Sequence, residues 1–114
     1  ALTSYDALAR LAIVPMVLVA RGLDVTPAAI ERFEAVGDTV TARILQRIYT
    51  DEIRHVSAGT VWFHWMCDER RIPAVETWQS IVNQRFRGSL KPPFNDSARL
   101  AAGLPRTFYM AVAS

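Results

Sequence analysis

The sequence predicts an all-α, ferritin-like helical bundle, and specifically half of one: two long helices followed by shorter helices. The first observation is that residues 39–70 carry apolar positions every three or four residues, which is the period of a helix. The second is that proline, glycine and capping residues divide the remaining chain into helical segments. No segment is predicted as a strand, and there is no repeat or glycine-rich phosphate loop.

The first predicted helix runs to about residue 20 or 21, where Gly22 ends it. It is apolar on nearly every side, so it needs covering from more than one direction, and a partner surface is the expected cover. Pro15 lies in its middle and removes one backbone hydrogen bond, which predicts a kink. We interpret this kink as a packing adjustment.

A short extended link at residues 23–25 is expected to follow. Thr26 then caps a second helix, because Pro27 suits the first helical position. This helix is predicted to end near Val36, before Gly37.

The second long helix is capped by Asp38 or Thr39 and ends near residue 70, before Ile72-Pro73. Its last turns hold an aromatic stripe that we predict to be core: Trp62, Phe63, Trp65 and Met66. Cys67 is expected to be a small buried hydrophobe.

The C-terminal third is predicted as three short helices and a strap. Two successive prolines exclude a helix at residues 89–94, so this segment should cross the bundle as an extended strap held by Leu90 and Phe94. Asn95 caps the helix that follows the strap. The predicted helices span residues 73–86, 96–102 and 105–110.

Composition limits the classes of protein that fit this sequence. With 114 residues, we expect one domain over 1–114, and the start at Ala1 without Met suggests a fragment of a longer protein. Thirteen basic and eleven acidic residues give a net charge of +2 with no basic block, so no nucleic-acid partner is expected. The single Cys67 suits a reducing, cytoplasmic compartment. The apolar run at residues 8–20 is shorter than the roughly 20 residues of a membrane span.

The main functional clue is a Glu-x-x-His motif, Glu52 and His55, on the long helix. Residues three apart share one helix face. Six apolar or small residues fall within about 60° of Glu52 on the helical wheel: Leu45, Ile48, Val56, Gly59, Phe63 and Met66. We therefore expect the carboxylate and the imidazole to be buried in the apolar stripe.

Two interpretations of this buried pair remain open. In the first, it is a satisfied core pair, with Glu52 bonded to an arginine or tyrosine and His55 to a backbone carbonyl. In the second, both are metal ligands, as in di-metal bundles where two helices each supply a Glu-x-x-His. Iron, manganese or zinc would suit the nitrogen and oxygen donors.

Several segments together resemble the C-terminal half of a bacterial ferritin-like family of unknown function. They are residues 15–27 with the run ARGLDVTP, residues 51–56 with Gly59, Trp62 and Phe63, residues 87–88, and residues 91–95 (KPPFN) with Ala98, Arg99 and 102–104. The resemblance implies a four-helix bundle with a di-iron or di-manganese centre, and it implies no particular reaction. It matches Glu52 and His55 to the family's second Glu-x-x-His.

The resemblance also shows where this chain departs from the family pattern. A solitary glutamate is expected just before residues 20–22, and here that position is Val19, which cannot ligate a metal. The family's other half, with its own glutamate and Glu-x-x-His, is not in the chain. A homodimer, or the missing N-terminal half of the same protein, would rebuild a four-helix core and bring further ligands.

Three functional hypotheses follow. The first is a metal-binding ferritin-like domain, with oxidoreductase activity as one option. Its metal site is completed by ligands from a second half-bundle. The second is a structural or interaction module without metal. The third is a carrier of a small apolar ligand near Trp62 and Pro15, with no convergent charged groups.

Overall fold

The computed structural model describes residues 4–86, 88 and 90–113, with side chains from residue 7 onward. Its first part is one uninterrupted helical rod. It consists of α1 (Ser4–Ile13), a π-helical segment (Val14–Val19) and α2 (Ala20–Ala35). The all-α prediction is confirmed for the described residues, where the only β pairing is an isolated bridge between Leu90 and Ala113.

The predicted break after residue 21 is wrong, because α2 continues through Gly22 and through the expected extended link. A glycine inside a helix costs about 1 kcal/mol relative to alanine. The contacts of the next two residues offset this cost. Leu23 is fully buried, and the Asp24 carboxylate is hydrogen-bonded on both oxygens.

Pro27 lies inside α2 and not at its start, and a distant side chain compensates for it. Proline has no N–H, so the carbonyl four residues earlier, that of Leu23, loses its helical donor. Asn95 Nδ2 donates to this carbonyl at 3.0 Å. The proline thus frees an acceptor that ties the C-terminal part of the chain to α2.

Pro15 begins a widened turn, as its missing N–H favours. Its ring packs directly on α3 at Gly59, where an added Cβ would lie 2.4 Å from Pro15 Cγ. Just before this turn, Trp78 Nε1 donates to the Ala12 carbonyl at 3.1 Å. The structure has a widened turn where a kink was predicted, and the proline of this turn packs closely on α3.

Helix α3 (Thr39–Glu69) folds back on α2 as a hairpin. Its boundaries confirm the prediction, and Asp38 is the cap, accepting from Thr41 N at 3.0 Å. Gly37, at φ 81°, makes the turn between the two helices.

The buried face of α3 is centred on Val56, Gly59, Phe63 and Cys67. Trp62 and Trp65 are 57% and 54% exposed, so the prediction that the whole aromatic stripe is core was wrong for them. Both tryptophans lie more than 100° from Val56 around the helix, on the outer side. They contact each other edge to face instead, with ring centroids 5.8 Å apart.

The remaining elements are α4 (Ala74–Arg85), α5 (Asp96–Ala101), α6 (Arg106–Tyr109) and a 3₁₀ turn (Met110–Val112). They agree with the predicted segments within a few residues. The strap between α4 and α5 is extended, and Leu90 in it is buried as predicted. Arg87 and Ser89 lie outside the described residues.

One core cluster joins all of these elements. It combines Leu8 of α1, Leu23 of α2, Phe63 of α3, Trp78 of α4 and Tyr109 of α6, each almost fully buried. Among the described residues, no helix combines the length and the apolar character that crossing a bilayer requires.

Candidate metal half-site on helix α3

Glu52 and His55 lie side by side on α3, as their spacing predicts. Their contact is a hydrogen bond of 2.8 Å between His55 Nδ1 and Glu52 Oε1. Because one helix carries both residues, its geometry alone brings these two donor groups together.

The expected burial of this pair is wrong for His55 and partly wrong for Glu52. The side chain of His55 is 64% exposed and that of Glu52 is 29% exposed. Glu52 is four residues from Val56 and so about 40° from the centre of the buried face, whereas His55 is one residue away and about 100° off. The pair lies at the edge of the stripe, with the imidazole outermost.

The core-pair interpretation required an arginine or a tyrosine as the partner of Glu52, and the two candidates, Arg21 and Tyr49, bond to other groups. Arg21 Nη1 donates to the Lys91 carbonyl at 2.9 Å. The Tyr49 hydroxyl accepts from Asn95 Nδ2 at 2.8 Å. Among the described residues, the side chain bonded to Glu52 is that of His55.

A third ligand is not supplied by the part of the chain that the structure describes. No group of three histidine, cysteine or acidic residues there is arranged to hold a metal ion. Asp51 points to Arg47, at 3.4 Å, and Val19 packs against the core. The arrangement offers one oxygen and one nitrogen donor, fewer than the three or four protein ligands of ordinary sites.

The surroundings of the pair form an uncovered apolar face, here called the open face. Ile44, Ile48 and Trp62 are exposed and share one side of α3 with His55, at helical spacings of four and seven residues. Trp62 also borders a shallow cleft of about 550 Å³, together with Val14 and Pro15. Arg10 lines the same cleft and is the one charged residue among the described residues around it.

A second polar cluster, which the sequence reasoning missed, lies at the junction of α2 with α5. Arg99 Nε and Nη2 donate to the two oxygens of Asp24, at 2.9 and 2.6 Å, and both side chains are almost fully buried. The guanidinium lies over the rings of Phe94 and Tyr109, with its central carbon 4.9 and 4.6 Å from their centroids.

Asn95 completes this cluster, which we call the clasp. Its backbone N–H donates to Asp24 Oδ1 at 2.8 Å, and its side-chain oxygen caps α5 by accepting from Ala98 N at 3.2 Å.

The sequence contained a signal that could have predicted the clasp. If α2 is continued through Gly22, Asp24 falls four residues after the buried Ala20, on an apolar face where a carboxylate needs a cation.

Two further groups are held in their neutral forms. Burial raises the pKa of the Tyr109 hydroxyl, and its hydrogen bond to the Asp96 carboxylate raises it further. Burial likewise raises the pKa of the Cys67 thiol, which confirms the prediction of a small buried hydrophobe. Neither group is prepared to act as a nucleophile.

Comparison with known proteins assigns the chain to a family. Residues 1–110 match the family described as "Protein of unknown function (DUF455)". The chain belongs to this family. It is similar to a curated relative, an "Uncharacterized protein" of Haemophilus influenzae, with 36% identity over 101 residues. The match covers 89% of this chain but 35% of that relative, so the chain spans about a third of its length. No solved structure matches the chain at a significant level.

Proposed function

We propose that this chain is the metal-binding half of a ferritin-like four-helix bundle. In this proposal, Glu52 and His55 are two of the ligands, and a second pair of helices supplies the others. One observation carries the proposal. An adjacent carboxylate and imidazole lie within an apolar face that the described part of the chain leaves uncovered.

The α2–α3 hairpin supports the bundle architecture. Four-helix bundles place such hairpins face to face, with their ligands projecting inward from facing helices. The open face has the composition of such an interface, since Ile44, Ile48 and Trp62 flank the Glu52–His55 pair. The second helical pair would be a second copy of this chain or another segment of a longer protein, and the length of the Haemophilus relative leaves room for the latter.

The donor set fits the proposed ions, although it is incomplete. Carboxylate oxygen and imidazole nitrogen suit iron, manganese and zinc. Iron or manganese would supply oxygen chemistry at such a site, and zinc would supply structure or hydrolysis. Covering the open face would also remove water from around Glu52, so its negative charge would favour a bound cation over solvent.

Metal content tests this proposal. The protein at its natural length should contain metal after purification without chelator, and Glu52→Ala or His55→Ala should remove most of it. Asp51→Ala is a matched control, because Asp51 neighbours Glu52 but pairs with Arg47. Equal metal content in all four proteins would overturn the proposal. The mass of the 114-residue chain in solution then tells whether a second copy covers the face.

The alternative is a structural or interaction module without metal. The 2.8 Å hydrogen bond favours it, since each member of the pair already has a partner. It predicts metal at background level and unfolding that does not change when a chelator is added.

A further inference from the structure

A second concave site lies between the π-helical segment of the first helical rod and the strap. It is a cleft of about 240 Å³, here called the strap cleft. Its walls are apolar and include Leu18, Phe86 and Leu90. This site shares none of its residues with the Glu52–His55 pair, so its role is independent of the proposed function.

The rim of the strap cleft is positively charged. Arg21, Lys91 and Arg99 line it, and none of the described residues that line it is acidic. Asp24, behind the lining, pairs with Arg99 at 2.6 Å and lies 3.7 Å from Arg21, so one carboxylate is shared by two guanidinium groups. With Lys91, these described groups carry more positive than negative charge, and the excess attracts an anion.

The cationic groups are held in place before any ligand arrives. Arg21 Nη1 is fixed by its 2.9 Å bond to the Lys91 carbonyl, which ties the rod to the strap. Arg99 is almost fully buried, and among the described residues its side-chain hydrogen bonds use Nε and Nη2. Its Nη1 is thus left for an acceptor in the cleft. Donors fixed in this way lose little conformational entropy when they bind a ligand.

We propose that the strap cleft binds a small carboxylate with a short apolar chain, such as a short fatty acid. The carboxylate would accept from Arg21 and from the remaining edge of Arg99, because guanidinium groups match the planar geometry of carboxylates. The chain would lie against Leu18, Phe86 and Leu90. The cleft is smaller than the roughly 300–1,000 Å³ of sites for drug-sized ligands, so a short ligand is required.

Titration with octanoate, followed by NMR or calorimetry on the full chain, tests this site. Saturable binding is expected, with much weaker binding of the uncharged 1-octanol. Arg21→Gln should weaken octanoate binding about tenfold, which is the loss of one charged hydrogen bond. Leu18→Trp should abolish binding by filling the cleft. Leu18 is exposed, so this variant should fold normally, as circular dichroism can verify.

The matched control is Arg10→Gln, which removes a cation from the other cleft, beside Trp62, and should leave octanoate binding unchanged. The proposal is overturned if octanoate does not saturate, if 1-octanol binds equally well, or if Leu18→Trp still binds. Tighter binding of octyl phosphate than of octanoate would overturn the choice of a carboxylate.

Discussion

The clasp and the open face contain the same kinds of residue and differ in what surrounds them. At the clasp, the side chains of Asp24 and Arg99 are 1% and 3% exposed, and they bond to each other through two hydrogen bonds. At the open face, Glu52 and His55 bond only to each other in the described structure, and the imidazole is mostly exposed. The buried Asp24–Arg99 pair therefore stabilises this chain, whereas the Glu52–His55 pair remains accessible to an ion or to another segment.

The clasp explains why two distinctive segments occur together. The runs ARGLDVTP and KPPFN meet there, since Asn95 donates both to the Asp24 carboxylate and to the Leu23 carbonyl. A buried ion pair adds little net stability over an apolar pair, but losing one partner is costly. These segments therefore hold the fold, whereas the Glu-x-x-His contributes little to it.

The largest effect is expected from breaking the clasp. Arg99→Met removes the bidentate partner of the buried Asp24 carboxylate and leaves only the partly exposed Arg21, 3.7 Å away, so it should lower the free energy of unfolding by about 3 kcal/mol. Urea denaturation measures this loss. The double variant Asp24→Asn/Arg99→Met should regain much of it, because the charge is gone and an acceptor for Asn95 remains. If the double variant loses as much stability as its two single variants combined, the two residues act independently.

The contact between the rod and α3 should break with Gly59→Ala. The added methyl would lie 2.4 Å from Pro15, so we expect a loss of about 1–3 kcal/mol from overpacking. Gly22→Ala is the matched control, because the nearest atom to a Cβ added at Gly22, Thr26 Oγ1, is 4.0 Å away. This control should gain about 0.5–1 kcal/mol of helix stability. Thermal unfolding of both variants measures the contrast, and similar shifts would contradict the close approach.

The open face can be tested by comparing Trp62, which belongs to it, with Trp65, which does not. Trp62→Glu should weaken metal retention and the docking of the second helical pair, because Trp62 shares a side of α3 with His55. In the 114-residue chain, Trp62→Glu should change the free energy of unfolding by no more than about 0.5 kcal/mol. Trp65→Glu is an equally exposed control on another side. Equal effects of the two variants on metal content would contradict a role for the open face in metal binding.

The long helix and its cap could be predicted because local signals determine them. Asp38 and the regular apolar spacing after it appear directly in the sequence. The continuity of α1 with α2 could not be predicted in this way. Gly22 and Pro27 are local signals for a break, and the contacts that override them come from Asn95 and Arg99, some 70 residues later.

The site was predictable in part. Spacing alone determined that Glu52 and His55 would touch, because one helix carries both. Their burial was misjudged because a helical wheel ranks directions but does not show which faces other elements cover. Trp62 and Trp65 were misplaced for the same reason.

The smallest effect is expected at the cap of α3. Hydrogen bonds from the backbone and side chain of Thr41 lower the pKa of Asp38. A carboxyl whose pKa is lower in the folded state stabilises the fold above its unfolded pKa, near 3.9, and this contribution is lost as the pH falls. Asp38→Asn should therefore flatten the decline in stability below about pH 4. Acid titrations of both proteins, followed by circular dichroism, would measure it, and identical curves would contradict the assignment.

The two histidines of the chain offer the most direct test of the central claim. His55 lies on the open face beside Glu52, while His64 contacts Phe108 on another side of α3. Metal content should be measured in the natural-length protein and in its His55→Ala and His64→Ala variants, prepared in parallel. We predict that the His55→Ala variant loses the metal and that the His64→Ala variant keeps it. Equal metal content in the two variants would contradict the claim that the open face holds a metal half-site.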